Sequence, residues 1–284
     1  MTIDDKDIDF KFSRLKDVLT NMKSLLVAFS GGVDSTLLLR VAQMMLGDNV
    51  SAVTAVSETT PRHEMEDAKR FAAEFGVKHF LIESGELRLA EFLKNPYDRC
   101  YICKRSRFSA IIDLAEKNGQ ACVADGSNLD DLSDYRPGMK ALRELEVRSP
   151  LVEAELTKAD VRLLSKRLGL FTWDKPAYAC LATRIPYETT ITVEKLRQVD
   201  AAEDVIRSLS ISKQVRVRHY GDTARIEVAR EDIQKLFDPG IRDRVISFFK
   251  GLGFTFVTLD LEGYRMGSLN RSLSSATTSP GDPP

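Results

Sequence analysis

The chain has 284 residues, 43% of them hydrophobic and 29% charged, the composition of an ordinary soluble protein with room for one large domain or two modest ones. Its 41 Lys and Arg balance 42 Asp and Glu, so no global positive field invites nucleic acid or an anionic membrane, and any anion site must be built locally. No run approaches the roughly 20 apolar residues of a membrane helix and residues 1–11 lack a signal pattern, which implies the cytoplasm and argues against disulfides among Cys100, Cys103, Cys122 and Cys180.

In chain order, residues 24–29 form a continuous apolar run, as a strand covered on both faces does. A glycine loop follows, then a helical stretch from Leu37 to Leu46 that Gly47 stops. Residues 50–56 read as a second strand. Thr60 and Pro61 offer an N-cap and a first-turn proline to a helix ending near Gly76. Residues 78–83 read as a third strand, 101–117 as a helix closed by Gly119, and 121–124 as a fourth strand. Thr157 and Asp160 have capping-box spacing for one more helix, ending near Gly169. Strand–helix alternation with short connections predicts an α/β fold with a doubly wound parallel sheet.

Pro176 and Pro186 break that rhythm, so the first domain is expected over 1–175 and a hinge over 176–190. Beyond them lie an amphipathic helix at 194–209 and two short alternating strands, 214–219 and 224–228, joined at Gly221-Asp222. A helical stretch at 230–250 and a strand at 255–259 complete a second, smaller α+β domain over 191–271. The tail, 272–284, is rich in Ser, Thr, Pro and Gly, the composition of a disordered segment.

Ser30-Gly31-Gly32-Val33-Asp34-Ser35 lies between the first strand, ending near Ala28, and its helix. Two glycines let the backbone turn N–H groups inward, and the helix start adds positive character, which together cradle phosphate. Ser30 and Ser35 add hydroxyls. Asp34 is too acidic to face phosphate alone, so a bridging magnesium ion (Mg2+) is inferred. The loop lacks the Gly-Lys-Ser/Thr ending of a γ-phosphate-transferring P-loop and the spacing of a dinucleotide fingerprint. A plain serine–glycine turn is the bland alternative. In an open α/β sheet the ligand crevice lies at the strand carboxyl ends, which makes Ser57, Glu58, Asp125 and Gly126 candidate nucleotide contacts.

Cys100-Tyr101-Ile102-Cys103 opens a helix and precedes Lys104-Arg105, while Cys180 stands far along the chain. Structural zinc wants four ligands, and none of His63, His79 and His219 is placed to help. A redox dithiol would need a thioredoxin-like surrounding. A 4Fe-4S cluster on three thiolates would leave one iron open for sulfide. Cys122, inside a strand, reads as a small hydrophobe. Arg216 and Arg218 share one face of a period-two strand while Val215 and Val217 face the core. Side-by-side guanidiniums form a phosphate clamp, unless they are merely a solvated strand face.

The loop resembles that of the PP-loop ATP pyrophosphatases, which cleave ATP between the α and β phosphates and adenylate their substrates. Asp125-Gly126-Ser127-Asn128, Asp134-Tyr135-Arg136-Pro137-Gly138-Met139-Lys140, Arg184-Ile185-Pro186-Tyr187, Val215-Arg216-Val217-Arg218 and Leu259-Asp260-Leu261-Glu262-Gly263-Tyr264-Arg265 extend the resemblance to LarE-type sulfur transferases. That family adenylates carboxylates of a pyridinium dicarboxylate mononucleotide and converts them to thiocarboxylates for the nickel-pincer cofactor of lactate racemase. The resemblance implies ATP, Mg2+, a homo-oligomer and other nickel-pincer biosynthesis proteins as partners. It places Arg136 at the nucleotide, Arg265 beside Arg216 and Arg218 at the substrate phosphate, and Lys104 and Arg184 at developing charge. Glu203 matches a family position near the active site but reads first as a helix-surface carboxylate. Glu188 stands where the resemblance implies glycine. The trio Cys100, Cys103 and Cys180 resembles the cluster-dependent branch. Related proteins without the trio sacrifice the sulfur of a cysteine near Cys180. A tRNA thiolase, an amide synthetase and a non-catalytic nucleotide-binding regulator are the rivals, weakened by the balanced charge, the cysteines and the second domain respectively.

Overall fold

The computed structural model describes residues 5–132, 137–176 and 180–265. Arg136, its neighbours Asp134 and Tyr135, and the tail 272–284 lie outside the described residues. The chain divides into two compact units, residues 1–178 and 179–284.

The first unit opens with α1 (Asp5–Thr20) and β1 (Leu25–Ala28), then α2 (Val33–Leu46), β2 (Val50–Val56), α3 (Arg62–Glu74) and β3 (Lys78–Glu83). A one-turn α4 (Ala90–Leu93), α5 (Arg99–Lys117) and β4 (Cys122–Ala124) follow, then α6 (Pro137–Glu144), one-turn α7 (Pro150–Glu153) and α8 (Lys158–Arg167). The four strands pair in the order β3-β2-β1-β4, every pair parallel. Both faces are covered, which is why β1 is apolar throughout and β2, despite Ser51 and Thr54, is buried from Val50 to Ala55. Leu25 and Val27 pack with Leu15, Leu38, Phe71 and Leu164 of the helices on one side. Their neighbour Leu26, with Val53 and Val123, packs with Phe108, Ile111, Met139 and Leu142 on the other. The parallel, doubly wound architecture expected from sequence is the one observed.

The path of the chain fixes where a ligand fits. Strands β1, β2 and β3 run outward to one edge, and the chain then returns to place β4 on the far side of β1. That reversal opens a crevice between β1 and β4 at their carboxyl ends, where the glycine loop and Asp125-Gly126 emerge.

Several boundaries moved for physical reasons. The helix after the loop begins at Val33, so Asp34 and Ser35 belong to its first turn. Thr60 does not cap α3; Pro61 stands at the cap position, with no side-chain bond. Thr157 and Asp160 do form the reciprocal capping box of α8, and Asp160 also receives Lys11 Nζ of α1 at 3.1 Å.

The second unit carries a 3-10 turn (Leu181–Arg184), α9 (Val193–Ser208), β5 (Val215–Tyr220), β6 (Thr223–Val228), a 3-10 stretch (Arg230–Phe237), α10 (Pro239–Gly251) and β7 (Phe256–Leu259). Strands β5 and β6 are antiparallel and β6 and β7 parallel. Val215, Val217, Ile226, Ile206 and Phe249 form its core. The helical stretch expected over 230–250 is split, because Pro239 starts a new helix that Asp238 caps through the Ile241 N–H at 3.0 Å. Among the described residues no helix is long and apolar enough to cross a membrane.

Candidate active site

The glycine loop is shaped by contacts that leave no room for side chains. Gly31 adopts φ +69°, and a Cβ there would lie 3.1 Å from the Ala68 nitrogen of α3. A Cβ on Gly126 would come within 2.9 Å of the Ser35 nitrogen and 3.1 Å of its Cα, so β4 and the loop touch backbone to backbone. Ser30 and Ser35 bridge the loop: their hydroxyls are 3.1 Å apart, the Ser30 N–H donates to Ser35 Oγ at 3.3 Å, and the Gly32 N–H donates to Ser30 Oγ at 3.3 Å. The peptide groups at a helix start are thereby held in a short polar arch.

Asp34 is ringed by partners that sequence reading did not assign. Asn128 Nδ2 donates to its Oδ1 at 3.1 Å and Lys158 Nζ to its Oδ2. Lys158 opens α8, where a cation opposes the helix dipole; that misplacement was the available signal. Asp125 is buried at 6% exposure and receives Ser127 Oγ at 2.5 Å and Ser149 Oγ at 2.7 Å. Lys104 Nζ stands 3.5 Å from its Oδ2, and Gly138 of α6 gives the lysine stem its room, since a Cβ there would sit 2.8 Å from Lys104 Cδ. Asp125 is thus committed to holding Lys104 and two serines.

At the ends of β2 and β3, Ser57 Oγ accepts from the Thr59 N–H at 3.1 Å and lies 3.1 Å from the Thr59 hydroxyl oxygen. Thr59 Oγ1 also donates to Glu86 at 2.8 Å, which Ser84 and Arg107 bind too. Burial pushes the Glu86 carboxyl up, but Arg107 and the hydroxyls of Ser84, Ser57 and Thr59 outweigh it and hold it below its ordinary value. Neither Glu86 nor Arg107 was foreseen, since two lone residues on separate elements carry no motif.

The second unit holds a buried arginine network. Arg216 and Arg218 are only 2% and 5% exposed, so β5 presents no solvated arginine face. Arg218 grips Glu227 with two bonds of 2.9 Å. The ring stacked on Arg216, 5.1 Å from its guanidinium carbon, is that of Tyr264; Arg265 points to Glu262 at 3.6 Å and is half-exposed. Glu203 is no surface carboxylate but fully buried, and Arg184 binds it bidentately at 2.7 and 2.9 Å. Arg184, expected at developing charge, is itself fully buried, and it donates to the Cys180 carbonyl at 3.2 Å.

Burial pushes the Glu203 carboxyl up, yet Arg184, Arg216 and Arg207 together hold it below its usual range. Burial, reinforced by the nearby Arg184 charge, lowers Arg216. Glu203 and Tyr264 offset part of that effect.

Cys100 and Cys103 lie on the first turn of α5, three residues apart and so on one face. Cys100 and Cys180 are exposed and Cys103 half-buried. Cys122 packs at the margin of the first unit's core. Among the described residues, no three His, Cys, Asp or Glu side chains gather to hold a metal ion. The donor chemistry fits an iron–sulfur cluster all the same, because three cysteine sulfurs are the ligands such a cluster takes.

A Lactiplantibacillus plantarum protein named pyridinium-3,5-bisthiocarboxylic acid mononucleotide synthase is 41% identical over 267 residues, covering 94% of this chain and 96% of its own. The chain belongs to the LarE-type sulfur transferase family. A Synechocystis protein of unassigned function is 43% identical over 267 residues, covering 94% of this chain and 99% of its own. The sequence profile of the NAD synthase family matches residues 11–126, ending at the glycine that abuts the loop. A glutamine-hydrolysing GMP synthase of Aeropyrum pernix is 28% identical over 198 residues, 63% of this chain but 38% of its own. This LarE-type protein is an ATP-dependent enzyme of the PP-loop class.

Proposed function

We propose that this protein adenylates a carboxylate of pyridinium-3,5-dicarboxylate mononucleotide and converts it to a thiocarboxylate, in the cytoplasm, for a nickel-pincer cofactor of the kind lactate racemase uses. The carrying observation is the loop at Ser30 to Ser35, packed so closely against Gly126 that a Cβ there would lie 2.9 Å from the Ser35 nitrogen, in a chain similar over 94% of its length to the named synthase.

The β and γ phosphates of ATP would lie on the N–H groups of the loop, Asp34 would hold Mg2+, and Ser57 would face the nucleoside. A substrate carboxylate oxygen attacks the α phosphorus, the bond to the bridging oxygen breaks, and pyrophosphate carries away the electron pair. Lys104, held by Asp125, offsets the charge gathered at the acyl-adenylate. A sulfur nucleophile then attacks the carbonyl carbon and AMP leaves. The neighbouring guanidiniums of Arg216 and Arg218 on β5, with Arg216 stacked on Tyr264, support docking of the substrate phosphate in the second unit, with Arg265 following directly on Tyr264. Arg184, held by Glu203, fixes the backbone of Cys180 and so aims its thiol.

Cys100, Cys103 and Cys180 would hold a 4Fe-4S cluster. When bound, that group supplies an iron with an open position that carries sulfide. The second reading, favoured by the exposure of Cys180, has that thiol give up its own sulfur and remain as dehydroalanine. Iron and acid-labile sulfide on oxygen-free protein separate the two. About four irons per chain, lost in Cys100→Ala, support the cluster; no iron, with sulfur missing from Cys180 by mass spectrometry after turnover, sinks it.

A further inference from the structure

Lys175 lies in the last described stretch of the first unit, remote in sequence from the loop, yet its ammonium reaches the loop backbone. Its Nζ donates to the Gly31 carbonyl at 3.1 Å and to Asp67 Oδ2 of α3 at 2.8 Å. The side chain is only 14% exposed. Its own backbone is fixed as well: Arg162 of α8 donates to the Lys175 carbonyl at 3.0 Å and to the Trp173 carbonyl at 2.7 Å. A long, flexible cation would not be ordered at both ends for a surface ion pair, which contributes little.

What the contact does follows from peptide geometry. In a trans peptide the carbonyl and the next N–H point in opposite directions. A cation on the Gly31 carbonyl therefore fixes where the Gly32 N–H points, which is toward Ser30 Oγ at 3.3 Å and the phosphate side of the arch. Two adjacent glycines need such a restraint, since glycine peptides rotate at little steric cost. Hydrogen bonding at the carbonyl also polarises the same peptide and strengthens its N–H as a donor. We propose that Lys175, anchored by Asp67, is a positioning residue that holds the Gly31–Gly32 peptide with its N–H aimed at the pyrophosphate portion of ATP. The proposal rests on the reading of this loop as the ATP phosphate site.

The test measures binding of inorganic pyrophosphate with Mg2+, and separately of adenosine, to the full chain and to Lys175→Met, Lys175→Arg and Asp67→Asn. Lys175→Met should weaken pyrophosphate binding about tenfold and leave adenosine binding unchanged. Lys175→Arg should restore most of the loss, and Asp67→Asn should give a smaller loss of the same selectivity. Equal losses for both ligands would mark a merely structural role and overturn the proposal, as would pyrophosphate affinity within twofold of the parent in Lys175→Met. If Lys175→Met does not fold, Asp67→Asn decides by the same criterion. No pyrophosphate binding by the unaltered protein would overturn the ATP reading too, whereas failure in the variants alone leaves that reading standing.

Discussion

The loop of the first unit is made of backbone, whereas the polar network of the second is made of side chains. In the loop, Gly31, Gly32 and Gly126 clear space so that peptide N–H groups carry the binding, and the side chains that reach it, such as Lys175 and Lys158, hold it from outside. In the network, Arg184, Arg216, Arg218, Glu203 and Glu227 come from the 3-10 turn, α9, β5 and β6, and each depends on a partner from another element. The contrast sets what a substitution does. A loop change should alter catalysis and spare the fold, while a network change should alter the fold first.

The largest effect expected is at the loop. Gly126→Ala would drive a Cβ to 2.9 Å from a backbone nitrogen that cannot swing away, displacing the arch. AMP formation should fall on the order of a hundredfold, the scale of small misplacements in catalytic geometry, with an unchanged circular dichroism spectrum. Full activity in that variant would break the comparison on the loop side.

Next comes the network. Glu203→Ala leaves Arg184 buried without its carboxylate, and denaturant unfolding should show a loss of about 3–5 kcal/mol. The pH dependence has a definite sign. Glu203 is held below its ordinary value despite the opposing effect of burial, so its contribution is complete above the unfolded value of about 4.3 and disappears as pH falls through the native one. Glu203→Gln should flatten the acid limb of the stability curve; an unaltered limb would show that the buried pair is not coupled to folding.

The two regions also differed in how much their sequence disclosed. The loop was legible because its chemistry is local: Ser30 to Ser35 follow one strand and open one helix, and the capping box at Thr157 is equally local. Doubly wound topology followed from apolar runs spaced by helices. The partners of Asp34 were not legible, because Asn128 and Lys158 reach it from other segments. Burial of Arg216 and Arg218 was missed for a related reason: period two assigns faces, but not whether the second face is covered. Glu203 was misread as a surface group since α9 gives no hint that Arg184 waits opposite.

The smallest effect sharpens the comparison at a single backbone angle. Glu188, standing where the family resemblance implies glycine, adopts φ +63°, a region disfavoured by roughly 1–2 kcal/mol for residues with a Cβ. Glu188→Gly should raise stability by up to about 1 kcal/mol after the entropy of the unfolded glycine is subtracted. A decrease on thermal unfolding would mean that the side chain contributes more than the backbone strain costs.

The central claim is cleavage of ATP between its α and β phosphates at the Ser30 to Ser35 loop. Phosphorus NMR of the protein with ATP, Mg2+ and the pyridinium dicarboxylate mononucleotide tests it most directly. The account predicts AMP and pyrophosphate in equal amounts, formed only when the mononucleotide is present and lost in Gly126→Ala. ADP with orthophosphate, or ATP left intact in the complete mixture, would contradict it.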